Sequence, residues 1–198
     1  MTARPTRRAG SETRTEILRI ALDLFTRQGY EGTSIRDIAE ALGVTKSSLY
    51  YHFANKEAIV RALLDERRDE IDELLRWIGA QVGDGPIPAD LLQRAALRWI
   101  DSTGTERIQG MRFAHANGPV MQRLAATGDD RQVWFDAVVD RVLPAEATTT
   151  ERLRARMAFD TVSAALFAAE SITATDAEVL AAARSATISL TTPESDAR

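Results

Sequence analysis

An all-α fold is what the side-chain pattern of this chain predicts, and three features carry the prediction. Beyond residue 10, apolar residues recur at three- and four-residue spacings through most of the chain. Helix punctuation accompanies them, with Ser/Thr-x-x-Asp/Glu boxes ahead of apolar runs and glycines behind them. Strand signals are scarce: no convincing alternating run occurs, and no Asn-Gly or Asp-Gly hairpin lies between β-branched segments. About nine to ten helices are expected.

The first helix is predicted over about 13–28, with Ile17, Ala21, Leu24 and Phe25 on one stripe. Thr13 and Glu16 have capping-box spacing at its start, and Gly29 supplies a stop. The second covers about 35–42, with Ser34 and Asp37 as its box and Ile35, Ile38, Ala39 and Leu42 as its apolar face. A third, short helix runs from near Thr45 to near Tyr51. Asn55 caps a long fourth helix over about 55–80, apolar at Ile59, Leu63, Ile71, Leu74, Leu75 and Ile78. "DERRDE" at 65–70 interrupts that stripe, either as a solvated face or where the helix passes from one packed unit to the next. "VGDGPIP" at 82–88 is the clearest breaker. Further helices are expected over about 89–102, 105–116, 118–127, 130–143, 150–171 and 176–191, the last with a box at Thr175 and Glu178. The organisation predicted is a flexible basic arm (1–12), a three-helix domain (13–58), a helical C-terminal domain (59–192) reached through the long helix, and a disordered tail (193–198).

Composition excludes several classes of function. Cysteine is absent, which removes disulfides and thiolate metal sites and suits a reducing, cytoplasmic setting. His52 and His115 are too few and too far apart to suggest a metal centre. No apolar run approaches the ~20 residues that cross a bilayer. The first ten residues carry three arginines with no apolar stretch after them, unlike a secretory signal. Gly-x-Ser-x-Gly, phosphate-loop and His-Glu-x-x-His motifs are missing, so a helical enzyme is a remote alternative, and no cofactor is expected. The net charge of −4 divides unevenly: residues 1–68 hold 12 basic and 9 acidic side chains, and residues 69–198 hold 13 and 20. The overall sign argues against sequence-independent DNA compaction, which relies on phosphate neutralisation.

The basic third contains "GVTKSSLYYHF" (43–53), which holds two of the three tyrosines. Three residues, "GVT", join helices two and three, and so tight a connection makes them cross at a large angle. Ala39 permits close approach, Gly43 takes the left-handed turn and Leu49 plugs the interface, which is the spacing of a helix-turn-helix. On a helical wheel Leu49 and Phe53 share one side, while Lys46, Ser47, Tyr50 and Tyr51 fall within an arc of about 140° roughly opposite. The apolar side packs inward. The outer side offers an ammonium, hydroxyls and phenols suited to a DNA major groove ~12 Å wide. Core packing of the tyrosines beside a merely solvated lysine is the competing reading. Thr45, His52 and Lys56 lie at helix ends, where side chains reach backbone phosphates more easily than bases.

The stretch from Arg14 to Glu66, about a quarter of the chain, resembles the DNA-binding domain of TetR-family transcriptional regulators. It keeps the order Leu-Phe, Gly-Tyr, Thr-Ser-Ile, Ile-Ala, Gly-Val, Leu-Tyr-x-His-Phe and Lys-Glu. Carried over by position, the resemblance implies DNA contacts at Ser34 and Arg36, at Lys46, Ser47, Tyr50 and Tyr51, and phosphate contacts at Thr45, His52 and Lys56. Ser47 departs from the glycine or proline common at that position. Arg4, Arg7 and Arg8 form an arm that either enters the minor groove or adds a general attraction to DNA.

The rest of the chain resembles the family in architecture only, and the family's C-terminal region encloses a small-molecule pocket. By that resemblance Trp77, Trp99, Met111, His115, Met121, Trp134 and Phe159 are candidate pocket residues, although aromatics and methionines equally build cores. Two seams, Ala155, Phe159, Val162, Leu166 and Ala169, and Val179, Ala183, Ala186 and Leu190, have the spacing for a four-helix dimer bundle or for packing within one chain. The function expected is a ligand-responsive, homodimeric repressor of a palindromic operator, released by a small apolar or amphipathic effector. An activator or effector-independent regulator of the same fold is the alternative.

Overall fold

The computed structural model describes residues 7–125 and 131–192. Among them are ten α-helices: α1 (Arg7–Gln28), α2 (Ile35–Leu42), α3 (Lys46–His52), α4 (Lys56–Val82), α5 (Leu91–Asp101), α6 (Thr105–Ala116), α7 (Gly118–Ala125), α8 (Arg131–Val142), α9 (Thr149–Ala168) and α10 (Asp176–Thr191). The described residues form no strand, and a 3-10 turn at Ala169–Ser171 extends α9. The fold is all-α, as expected.

The first helix departs from expectation. It begins at Arg7, so Thr13 lies inside it and cannot act as a cap. Glu16 pairs instead with Arg19 at 2.6 Å. Arg7 and Arg8 thus belong to α1 rather than to an arm, and Arg4 lies outside the described residues. So does the tail at 193–198. The other punctuation acts as read. Asn55 accepts from the Ala58 N–H at 2.8 Å at the start of α4. Thr175 and Glu178 form a complete capping box on α10, and a further one joins Thr148 to Glu151 on α9.

Packing divides the chain into two compact units. One comprises Met1–Glu66 and Gln109–Gly128, and the other Arg67–Ile108 and Asp129–Arg198. The predicted three-helix domain ended at 58, whereas the first unit also takes in the later part of α6 and α7. The physical reason is apolar: Phe113, Val120, Met121 and Leu124 are buried in one cluster with Ile17, Phe25 and Tyr30. The Phe25 and Phe113 rings stack with centroids 5.4 Å apart, and Tyr30 lies 6.4 Å from Phe113. Each such buried side chain contributes roughly 1.5–3 kcal/mol.

The second unit has its own core. Ile71, Leu74 and Ile78 of α4 meet Ala95 and Trp99 of α5, Phe135 and Val138 of α8, and Ala158 and Phe159 of α9. Trp99 and Phe135 make an edge contact at 5.3 Å. Between α9 and α10 a polar pair is buried: the Thr161 and Thr187 hydroxyl oxygens lie 2.8 Å apart, and Thr187 also donates to the Ala158 carbonyl at 3.1 Å. Satisfied in this way, the hydroxyls fix which residues face each other without leaving an unpaired group in the core.

Candidate nucleic-acid interface

Local sequence builds the surface from its turns outward. Ser34 accepts from the Asp37 N–H at 3.2 Å, and Asp37 accepts from the Ser34 N–H at 2.7 Å. Hydrogen bonding to the Asp37 carboxylate from the Ser34 side chain first, and from the Ser34 N–H second, holds the carboxyl below its ordinary range. At the other end of α2, Gly43 adopts φ 68°. Its N–H donates to Glu40 O at 3.1 Å and that of Val44 to Ala39 O at 3.0 Å. Left-handed backbone favours glycine because a Cβ would crowd the carbonyl. Thr45 then caps α3 by accepting from the Ser48 N–H at 3.2 Å.

This frame separates the two sides of α3. Leu49 and the following Phe53 are buried with the α1 and α2 core residues Ile17, Ile38 and Ala39. Lys46, Ser47, Tyr50 and Tyr51 face solvent. Tyr51 is 83% exposed and Tyr50 47%, so core packing does not account for these rings. The Lys46 ammonium lies 5.6 Å from the Tyr50 ring centroid. The Thr45 and Ser47 hydroxyl oxygens are 3.0 Å apart, and the half-buried His52 meets Tyr51 edge-on at 5.3 Å. Chemically the face carries a cation, hydroxyl donors and acceptors, and two amphipathic rings, which can read base edges and reach phosphate.

Two of the sequence-derived candidates already have internal partners. Arg36 is exposed, but its Nε donates to Glu40 at 2.7 Å, a bond that also raises the pKa of the guanidinium. The Lys56 ammonium donates to Tyr30 O at 2.6 Å and sits 4.3 Å from the Tyr30 ring centroid. With a side chain only 22% exposed, Lys56 ties the start of α4 to the turn after α1. Arg14 was not singled out from sequence, yet its guanidinium lies 4.4 Å from the centroid of the Phe53 ring. The two residues are too far apart in sequence for any periodicity to signal this contact.

The candidate pocket residues have different surroundings among the described residues. The second unit holds a cavity of about 210 Å3 lined by Glu70, Glu73, Leu74, Arg98, Trp99 and Ser102. Of the seven candidates only Trp99 lines it. Phe159 lies inside the second core, and Trp77 and Trp134 pack partly buried against it. Met121 belongs to the first core, Met111 is half-buried and His115 is exposed, because α6 and α7 turn their apolar sides toward α1. Sequence did not single out Glu70, Glu73, Arg98 or Ser102, since nothing in their spacing marks a concave surface.

The nine seam residues have a similar outcome. Ala155, Phe159, Val162, Leu166, Val179 and Ala183 are buried within the single chain, where α9 packs on α10 and α5. Ala169 and Leu190 are half-buried and Ala186 is exposed. Most of each seam is therefore used for packing within the chain. The large apolar side chains exposed on these helices and the turn between them are Leu153, Met157, Phe167, Ile172 and Ile188.

Among the described residues no cluster of potential metal ligands occurs, and no helix is long and apolar enough to cross a membrane. Residues 17–63 match the model of bacterial regulatory proteins of the tetR family. The chain is 36% identical to the transcriptional regulator AcrR of Shigella flexneri over 105 residues, which cover 52% of this chain and 47% of AcrR. It is 38% identical to the transcriptional repressor KstR2 of Rhodococcus jostii over 103 residues, again 52% and 47%. The chain thus spans about half the length of the curated relatives it matches. The structure of the ketosteroid regulator KstR2 from Mycobacterium tuberculosis superposes with a TM-score of 0.62, covering 90% of this chain and 93% of that one. At 21% identity that likeness concerns the fold. The helix-turn-helix of α2 and α3 lies inside the matched stretch, so residues 17–63 are similar to the DNA-binding domain of the tetR family of bacterial regulatory proteins.

Proposed function

We propose that the protein is a repressor that binds a palindromic operator as a homodimer and is released by a small amphipathic effector. The observation that carries the DNA-binding part is the division of α3: Leu49 is fully buried, and Lys46, Ser47, Tyr50 and Tyr51 face outward from a helix held at both ends. A buried side anchors the helix, and the exposed side is free to enter a groove. Thr45 and His52 at the ends, with Ser34 at the start of α2, carry O–H and N–H groups that would donate to backbone phosphates. Arg36 and Lys56 would have to share their cations with Glu40 and Tyr30.

Dimerisation is supported by the outer faces of α9 and α10. Leu153, Met157, Ala164 and Phe167 fall within an arc of about 80° on α9, opposite its buried seam. On α10, exposed Ala177, Ala181 and Ile188 share a side. Two small-residue-lined apolar helix faces per chain can close a four-helix bundle with a second copy. For the effector, the cavity beside Trp99 supplies an apolar wall from Leu74 and the indole, with Arg98, Ser102, Glu70 and Glu73 as polar partners. An effector there acts only if it prefers one conformation of the protein, and α4, which contributes to both cores, is the element whose displacement would alter the spacing of the recognition helices.

Selection from a random duplex library, followed by titration at fixed salt, tests the reading. A two-fold symmetric duplex bound far more tightly than random DNA is expected. Equal affinity for both would overturn sequence-specific regulation.

A further inference from the structure

We propose that Arg14 is a DNA phosphate contact, positioned by its stacking on Phe53 to hold the C-terminal end of the recognition helix against the duplex. The inference rests on the DNA-binding reading above.

Phe53 directly follows α3 and is its C-cap, donating its N–H to Leu49 O at 3.0 Å. Its ring is buried, and the Arg14 guanidinium lies 4.4 Å from the ring centroid while Arg14 as a residue stays exposed. A guanidinium stacked on a ring keeps its N–H donors in its own plane, available edge-on, and their fixed fork matches two phosphate oxygens. Stacking also restrains a side chain that would otherwise lose much rotamer freedom on binding.

Several cations near Arg14 are paired within the protein. Along α1, Arg19 pairs with Glu16 at 2.6 Å and Arg27 with Asp23 at 3.0 Å. Arg36 pairs with Glu40 and Lys56 donates to Tyr30 O. Among the described residues no carboxylate pairs with Arg14. Arg14 thus holds an exposed guanidinium beside the end of α3.

Position completes the case. Lys46 opens α3 and Phe53 follows its end, so the two cations flank a helix that advances about 10 Å over its seven residues. That length is close to the ~12 Å width of the major groove. Lys46 at one end and Arg14 at the other are thus spaced to meet phosphates on the two sides of the groove that α3 enters.

The test uses the full chain and the duplex that it selects from a random library, with affinity measured across a salt series. Arg14→Gln is expected to lower the slope of log affinity against log salt by about 0.9 and to weaken binding roughly three- to tenfold. Arg14→Lys, which keeps the charge, is expected to retain the slope. A role confined to packing on Phe53 moves the melting temperature but not the slope. An unchanged slope in Arg14→Gln, or a fall that Arg14→Lys shares, overturns the assignment while leaving the DNA-binding reading intact. A wild-type chain that selects no duplex overturns both.

Discussion

Leu49 and Tyr51 sit two residues apart on α3 and meet opposite surroundings. Leu49 is fully buried between helices, so Leu49→Ala removes packing and leaves a void, at a cost of roughly 2–5 kcal/mol. Tyr51 is 83% exposed, and Tyr51→Ala is expected to change stability by no more than about 0.5 kcal/mol. Its effect falls on DNA: discrimination between selected and random duplexes shrinks while the urea midpoint stays put. Lys46→Ala and Lys56→Ala form a second contrast. Lys46 is exposed, so its loss weakens binding alone. Lys56 holds Tyr30 O at 2.6 Å, so its loss lowers the melting temperature as well as affinity for every duplex. The two-sided character of α3 was legible in the sequence because period and polarity agree there. The tie from Lys56 to Tyr30, like the stacking of Arg14 on Phe53, was not, because each joins residues far apart in the chain.

Helix ends show where local pattern suffices and where it misleads. Three carboxyls complete capping boxes, Asp37 with Ser34, Glu151 with Thr148 and Glu178 with Thr175, and the bonds they accept from those residues lower the pKa of each. A carboxylate whose folded pKa is lowered stabilises above its unfolded value and loses that contribution as pH falls through the folded one. The wild type is therefore expected to lose helical circular dichroism as pH falls below about 4. A chain with Asp37→Asn, Glu151→Gln and Glu178→Gln should start less stable at neutral pH and lose less on acidification. Thr13 and Glu16 have the same spacing, but α1 is already helical upstream of them, and the box pattern alone cannot report that. Glycines separate in a similar way. At Gly43 a Cβ meets nothing within 4 Å, so Gly43→Ala costs only the left-handed backbone, about 1 kcal/mol. At Gly32 it would lie 2.3 Å from the Gln28 carbonyl oxygen. The turn between α1 and α2 must then shift, and Gly32→Ala is expected to show the larger loss on urea unfolding.

For the molecule as a whole, the fold class was legible because helical periodicity and capping agree over nearly the whole chain. The division into units was not. Nothing local shows that Phe113, Val120 and Met121 pack with α1, since that depends on which apolar face finds which partner. The α9 and α10 seams left two uses open in the sequence for a related reason. Each helix has two apolar faces, and the one with more regular spacing was used inside the chain. The outer faces give a direct prediction. Phe167→Asp with Met157→Asp should convert a dimer to monomers in sedimentation, with the folded helical signal retained and affinity for the symmetric duplex greatly reduced. The claim on which the account turns is that the exposed side of α3 reads a specific sequence. Titration of wild type and Tyr51→Ala against the selected duplex and random DNA, at one salt concentration, tests it most directly. Strong preference in the wild type and its loss in the variant are predicted. Identical discrimination by both folded proteins would contradict it.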